Sequence, residues 1–393
     1  MGVGIFLRGR VTEPESLLDR LATRLEEEPW FSSLRVDSEA VEVVLHPAAE
    51  SVDFVIEGTG GLRVMAKTST VGPGYHAYLV DLLRAVGDEL GVRWDEVEDD
   101  TGYFANGDFA AVQREMLAWI GGVARLVLQK DAMGLMVSLP TTHRFVFDGA
   151  LATPLGPREL SWVQAVAAEP SLGADLFPWW GRGRDARQRL GSVLCRMWTE
   201  VRWREPITDG EDVLRQELLA DLGAAFAEEP RLPYPWREWV SLGGELPEVV
   251  AAASSSSGPL VGYRRRPVRV DLPGGWSLEL PGEFAEEQEE SGRYLAFDEL
   301  HTMSFTAFRQ EGSAEALLAL GEAGVGVREH VGARVRSWAA SADAMDGDQM
   351  FRKMTVRAVR VDGGRVAMLS LAWPVEADAA WADRIWLSLD HHG

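Results

Sequence analysis

The sequence predicts a soluble, multidomain α+β protein, and three observations predict it. The chain has 393 residues, 46% hydrophobic and 25% charged, enough for two or three ordinary cores and too apolar for disorder. Its hydrophobic periodicity changes along the chain: strand-like runs mixed with amphipathic helices come first, then helices, then hairpin-forming strands. Ala251–Gly258, AAASSSSG, is a low-complexity break. The expected organisation is an α+β domain over 1–150, a Trp/Arg-rich helical domain over 151–245 and a Ser/Gly/Arg linker over 246–265. A domain over 266–393 follows, with an antiparallel sheet and two helices.

Charge and cysteine content narrow the function classes. Sixty-one acids against thirty-nine bases give a net charge of −22, which opposes broad binding to nucleic acid or anionic membrane. The single cysteine, Cys195, excludes an internal disulfide framework and a cysteine-based zinc site. It suits a reducing cytoplasm. No window offers eighteen uncharged apolar residues, so no membrane span is expected. The start, MGVGIFLRGR, lacks the apolar core of a signal peptide.

In the first 150 residues Val3–Leu7, Val41–Leu45, Val52–Ile56 and Leu62–Ala66 read as short strands, and Glu13–Glu27 as a helix with Leu17, Leu18, Leu21 and Leu25 on one face. Gly72-Pro73-Gly74 is a turn, after which Tyr75, Leu79, Leu82, Leu83, Val86 and Leu90 recur at helical spacing. Unpaired amides at such a helix start can hold an anion, and His76 stands in the first turn. Gly72, Gly74, Tyr75 and His76 are therefore pocket candidates, although the pattern matches neither a dinucleotide fingerprint nor a P-loop. Asp95–Asp108 is rich in acids but lacks calcium-loop spacing and reads as a solvated loop. Asn106 or Asp108 caps a helix through Ile120. Leu126–Leu128, Leu135–Leu139 and Phe145–Phe147 read as strands.

The densest signal is Asp175–Pro206, which holds four tryptophans and seven arginines against four acids. Helices are expected over Glu159–Ala168, Arg184–Trp203 and Asp212–Ala227, with a short one at Trp236–Trp239. In the second of these, Leu190, Val193, Leu194, Met197, Trp198 and Val201 form a buried stripe, and Glu200 faces Arg204 one turn on. Trp179, Trp180 and Trp203 fall off that stripe. With Arg182, Arg184, Arg187 and Arg204 they are the partner-binding candidates, since Trp and Arg are enriched at binding hot spots.

After the linker, Tyr263-Arg264-Arg265-Arg266-Pro267 reads as a solvated linker end. Val268–Leu272 and Trp276–Leu280 flank Pro273-Gly274-Gly275 as a hairpin. Tyr294–Phe297 and Met303–Phe308 are further strands, followed by a helix from Ser313 to about His330. Val335–Ala339, Met350–Val361 and Arg365–Trp373 are longer strands, and Glu376–Leu389 is a closing helix. VDLPGGWSLELPGEF followed by YLAFDELHTMSFTAFR resembles the PsbP-like and DcrB-like domains, which include the EagR chaperones of type VI secretion. The resemblance covers about 266–393 and rests on Leu272, Pro273, Gly275, Trp276 and the order of elements. It implies a non-enzymatic binding module with one sheet face open to a partner.

None of the seven histidines stands in a zinc-hydrolase pattern, and neither a nucleophile elbow nor a nucleotide motif occurs. Neither a cofactor nor a metal is expected. The leading expectation is a protein that binds another protein: an adaptor, chaperone or immunity protein linked to bacterial secretion or conflict. The rivals are an enzyme with its site at Gly72–His76, and anion or nucleic-acid binding by the Arg182–Arg204 segment.

Overall fold

A computed structural model describes the chain except residues 1, 12–15, 29–32, 59, 140–142, 146–148, 246–259, 290, 310–326, 348, 362–363 and 393. It is a multidomain α+β fold with two compact units. One comprises 1–141, 146–200 and 215–262; the other comprises 142–145, 201–214 and 263–393. The helical middle thus belongs largely with the first unit, and Val201–Leu214 with the second.

The first unit opens with β1 (Gly4–Val11), α1 (Leu17–Glu26), β2 (Ser33–Val36), β3 (Ala40–Val44), β4 (Val52–Glu57) and β5 (Gly61–Lys67). After them come α2 (Pro73–Leu90) and β6 (Val92–Asp99). The strands form one sheet in the order β2-β3-β4-β5-β1-β6, antiparallel throughout. Alternation of the side chains turns Ile5, Leu7, Val41, Val43, Phe54, Leu62 and Val64 inward, all buried. Leu17, Leu21 and Leu25 of α1 and the apolar side of α2 complete that core.

The acidic stretch departs from its expected loop form. Its first half is edge strand β6, which pairs with β1 through a bulge at Arg8/Gly9. Acids on an edge strand keep it from pairing with other chains, so the charge there does not argue against strand. The short helix α3 (Tyr103–Asn106) follows, then α4 (Phe109–Lys130). Asp108 caps α4, its side chain accepting from the Ala111 amide at 3.1 Å. The helix runs ten residues past Ile120, so Leu126–Leu128 is helix and not strand. Leu135–Leu139 holds only an isolated bridge from Met136 to Ala152.

The two-residue strand β7 (His143–Arg144) belongs to the second unit, and residues 146–200 return to the first. The strand expected over Phe145–Phe147 falls mostly outside the described residues. In the first unit β8 (Ala150–Leu151) pairs with β9 (Arg158–Glu159), and α5 (Leu160–Ala168) leads into a 3-10 turn over Pro170–Leu176. The main helix of the Trp/Arg segment, α6 (Ala186–Thr199), is shorter than expected at both ends. Asp185 caps its start by accepting from the Gln188 amide at 2.9 Å. Beyond Thr199 the backbone leaves the helix, and Trp203 takes a left-handed φ of 56°. The expected Glu200–Arg204 pair therefore does not form: Glu200 pairs back to Arg196 and Arg204 pairs with Glu211. Two more helices, α7 (Asp209–Glu228) and α8 (Trp236–Ser241), follow as expected. The Ala251–Gly258 break lies outside the described residues.

In the second unit β10 (Val268–Leu272) and β11 (Trp276–Leu280) form the expected hairpin. The strands β12 (Ala285–Gln288), β13 (Tyr294–Phe297), β14 (Thr302–Arg309) and β15 (Arg328–Val331) come next. They precede the long hairpin of β16 (Val335–Asp346) and β17 (Gln349–Arg360), then β18 (Arg365–Pro374), α9 (Ala380–Ser388) and β19 (Asp390–His391). One sheet runs β19-β11-β10-β7 and another β12-β13-β14-β18-β17-β16-β15. His330 lies in strand β15 and not at a helix end. Most of the helix expected from Ser313 falls outside the described residues. Trp276, Phe305, Leu369 and Leu371 are fully buried, and Trp381 of α9 packs on Trp373, Phe284 and His301.

Candidate functional site

The seven partner-binding candidates divide between the units. Trp179, Trp180, Arg182, Arg184 and Arg187 lie in the first; Trp203 and Arg204 lie in the second.

In the first unit the Trp loop and the glycine turn, two separate sequence signals, are one contact. The Gly74 amide donates to the Trp179 carbonyl at 3.0 Å, and the Trp179 amide donates to Val71 at 3.1 Å. A β-carbon on Gly74 would lie 2.1 Å from both the Gly181 carbonyl oxygen and Trp179 Cδ1, and one on Gly72 2.7 Å from Phe177. Trp179 is buried, stacks on Tyr78 at 5.4 Å and donates through Nε1 to Gly183 at 3.0 Å. Backbone carbonyl thus occupies the place at the start of α2 where an anion would sit. Trp180 is only partly covered.

The arginines here are engaged. Arg182 lies over Tyr103 at 5.8 Å, Arg184 over Tyr78 at 4.7 Å and within 3.4 Å of Glu28, and Arg187 within 3.2 Å of Glu229. His76 is fully buried: Nδ1 is 2.8 Å from Thr68 Oγ1, and Nε2 is 3.0 Å from Thr101 Oγ1 and 3.1 Å from Asp99 Oδ1. Burial raises the Asp99 pKa, but the bonds from His76 and the Phe104 amide outweigh it and hold the carboxyl below its ordinary range. Neither His76 nor Asp99 lines any of the three hollows described in this chain. Tyr75 is sealed beside them, its phenol pushed up by burial.

A second buried pair resembles a catalytic one but is wired the wrong way. His46 Nδ1 accepts from the Ala48 amide at 3.1 Å, so the ring proton sits on Nε2, 2.9 Å from Ser192 Oγ. Ser192 in turn donates to the Gln188 carbonyl at 3.2 Å. A base must accept the serine proton; here the histidine donates. Burial pulls the His46 pKa to about 3, so the ring stays neutral. In the sequence His46 stands in no zinc-hydrolase pattern, and nothing there joins it to Ser192.

The second unit holds an open groove. Its two parts, 570 and 240 Å³, share Arg265, Glu283 and Asp298. Arg202, Trp203, Arg204 and Arg264 line the larger part with the exposed Leu300; Phe284, Trp381 and His301 line the smaller. The Arg265 guanidinium lies 3.9 Å from the centre of the Trp203 ring. Trp203 Nε1 is buried with no hydrogen-bond partner among the described residues.

Two largely covered acids, Glu211 and Glu286, hold arginines of this groove. Arg204 forks onto both Glu211 oxygens at 2.7 and 2.9 Å, and its Nε donates to the Glu283 carbonyl at 2.8 Å. Arg202 donates through Nε to Phe284 at 2.7 Å and sits 3.3 Å from Glu211. Arg264 is only 4% exposed and donates to Glu286 at 2.8 Å, so it is not a solvated linker residue. Glu286 also meets His143 Nε2 at 2.6 Å and accepts from Tyr294. Burial raises the Glu286 pKa, yet the His143 contact and the Arg264 charge overcome it and hold the carboxyl well below its usual range. Burial and the Arg264 charge lower the Arg202 pKa.

Of the residues singled out in the sequence, the groove gathers Trp203 and Arg204. Arg264 and Arg265 read in the sequence as a solvated linker end, and His143, Glu286, Glu283 and Leu300 carry no site signal there. The Tyr-Arg-Arg-Arg run was the available signal.

Neither a protein-family model nor a curated protein matches the chain. Among solved structures, a crystal structure from Bacteroides thetaiotaomicron VPI-5482 is similar over 32% of this chain and 48% of its own, at 12% identity and a TM-score of 0.27. The chain thus spans about half the length of that structure.

Proposed function

We propose that this protein acts by binding another protein, through the groove of the second unit. The observation that carries the reading is the wall formed by Trp203 and Arg265 at 3.9 Å, next to the exposed Leu300. Tryptophan and arginine are among the side chains most enriched at binding hot spots, and the exposed Leu300 adds apolar surface beside them. The PsbP/DcrB-like resemblance of 266–393 points the same way, towards an adaptor, chaperone or immunity role. A cytoplasmic setting suits a chain with one cysteine.

The rival readings have less support. The arginines proposed for anions or nucleic acid are bound by Glu28, Glu229 and Glu211 or laid over tyrosine rings. The His76 and His46 networks are sealed. Among the described residues no helix is long and apolar enough to cross a membrane.

Selection of displayed peptides on the immobilised full chain tests the reading. Selected peptides should lose binding to Trp203→Ala and Leu300→Ser. Retention of binding by both variants would overturn it.

A further inference from the structure

We infer that the smaller part of the groove anchors a tyrosine or tryptophan side chain of the partner protein, whose O–H or N–H donates to His301 Nε2; this rests on the groove reading above. Asp298 sets the geometry. Its Oδ1 accepts from the Leu300 and His301 amides at 2.8 and 2.7 Å, and its Oδ2 lies 3.0 Å from His301 Nδ1. A carboxylate only accepts, so Nδ1 carries a proton, and the neutral ring then holds its lone pair on Nε2. Two aromatic rings flank the imidazole: its centre is 4.6 Å from that of Trp381 and 6.2 Å from that of Phe284. The His301 side chain is 20% exposed and lines the hollow. Nε2 makes no hydrogen bond among the described residues. The wall thus presents an acceptor that nothing in the fold uses.

The rest of the lining selects what carries the donor. Leu280, Phe284, Trp381 and Ile385 are buried and give the hollow an apolar floor. Formal charge favours neither sign, because Arg265, Arg266 and Arg384 line it together with Glu279, Glu283 and Asp298. The matching group is neutral, with an apolar body and a hydrogen-bond donor at its edge, and among side chains that describes Tyr and Trp. The volume of 240 Å³ is smaller than the roughly 300–1,000 Å³ of a site for a drug-sized molecule and suits one side chain. The larger part of the groove, 570 Å³, shares Arg265, Glu283 and Asp298 with it and leaves room for the segment that bears that side chain.

Peptides selected by display on the immobilised full chain are the probes, and fluorescence anisotropy of dye-labelled copies gives their affinity. The selected peptides should share a Tyr or Trp. Exchanging that Tyr for Phe, or that Trp for benzothienylalanine, removes the donor and keeps the ring. Either exchange should weaken binding about tenfold, because Nε2 is then covered without a donor. His301→Asn keeps an amide where Nδ1 stands and removes Nε2, so parent and exchanged peptides should bind that variant equally. His301→Gln, with an acceptor where Nε2 stands, should restore most of the preference. Selected peptides without Tyr or Trp, an exchange without effect on the unaltered chain, or a preference that His301→Asn leaves intact would overturn the inference. The groove reading survives those results if Trp203→Ala and Leu300→Ser still abolish binding. If neither of these two variants weakens binding, both fail.

Discussion

The Gly74 amide donates to the Trp179 carbonyl at 3.0 Å, which joins the glycine turn to the tryptophan loop as one packed corner. The fit leaves no room: a β-carbon on Gly74 would stand 2.1 Å from Trp179 Cδ1. Gly74→Ala should therefore lower the stability of the first unit by about 1–3 kcal/mol or more. Urea unfolding read by tryptophan fluorescence checks this. An unchanged midpoint would contradict the corner.

His46 gives a pH signature. Its pKa in the fold is about 3, against 6.5 ordinarily. The unfolded chain therefore binds a proton that the folded chain refuses between those values. Stability is complete above about pH 6.5 and falls as pH drops towards 3, at up to about 1.4 kcal/mol per unit for this one group. His46→Gln should flatten that slope. Stability measured from pH 7 to 4 in both proteins decides it.

Glu286 holds the second unit's buried arginines. Without its charge, Arg264 and Arg202 lose the carboxylate between them. Glu286→Gln, although the same size, should cost about 3–5 kcal/mol. The carboxyl is depressed in the fold, so its contribution is present above the ordinary glutamate range and lost as pH falls through the acid range. Urea unfolding at pH 7 should show the loss.

Trp203 is strained. Its φ of 56° suits glycine. Both Trp203→Gly and Trp203→Ala remove the stack with Arg265, but the glycine variant should be the more stable of the two by roughly 1 kcal/mol. Equal melting temperatures would argue against the left-handed conformation.

How much could be read from the sequence follows from the range of the interactions. The strands β3, β4 and β5 were legible because one face is buried and the residues alternate. The extension of α4 was not, because Leu126–Leu128 is apolar in a run that suits either element. Edge strand β6 hid behind its acids. The stop of α6 before Trp203 rests on distant groups: Arg202 and Arg204 bond carbonyls 82 and 79 residues away. The groove was illegible for the same reason, since Arg264 meets His143 across 121 residues. Composition marks an arginine; only folding shows whether an acid already holds it.

Hydrogen–deuterium exchange of the full chain, with and without a saturating peptide selected on it, tests the central claim most directly. The account predicts slower exchange over 202–205 and 298–301. Protection confined to other segments, with those two unchanged, would contradict it.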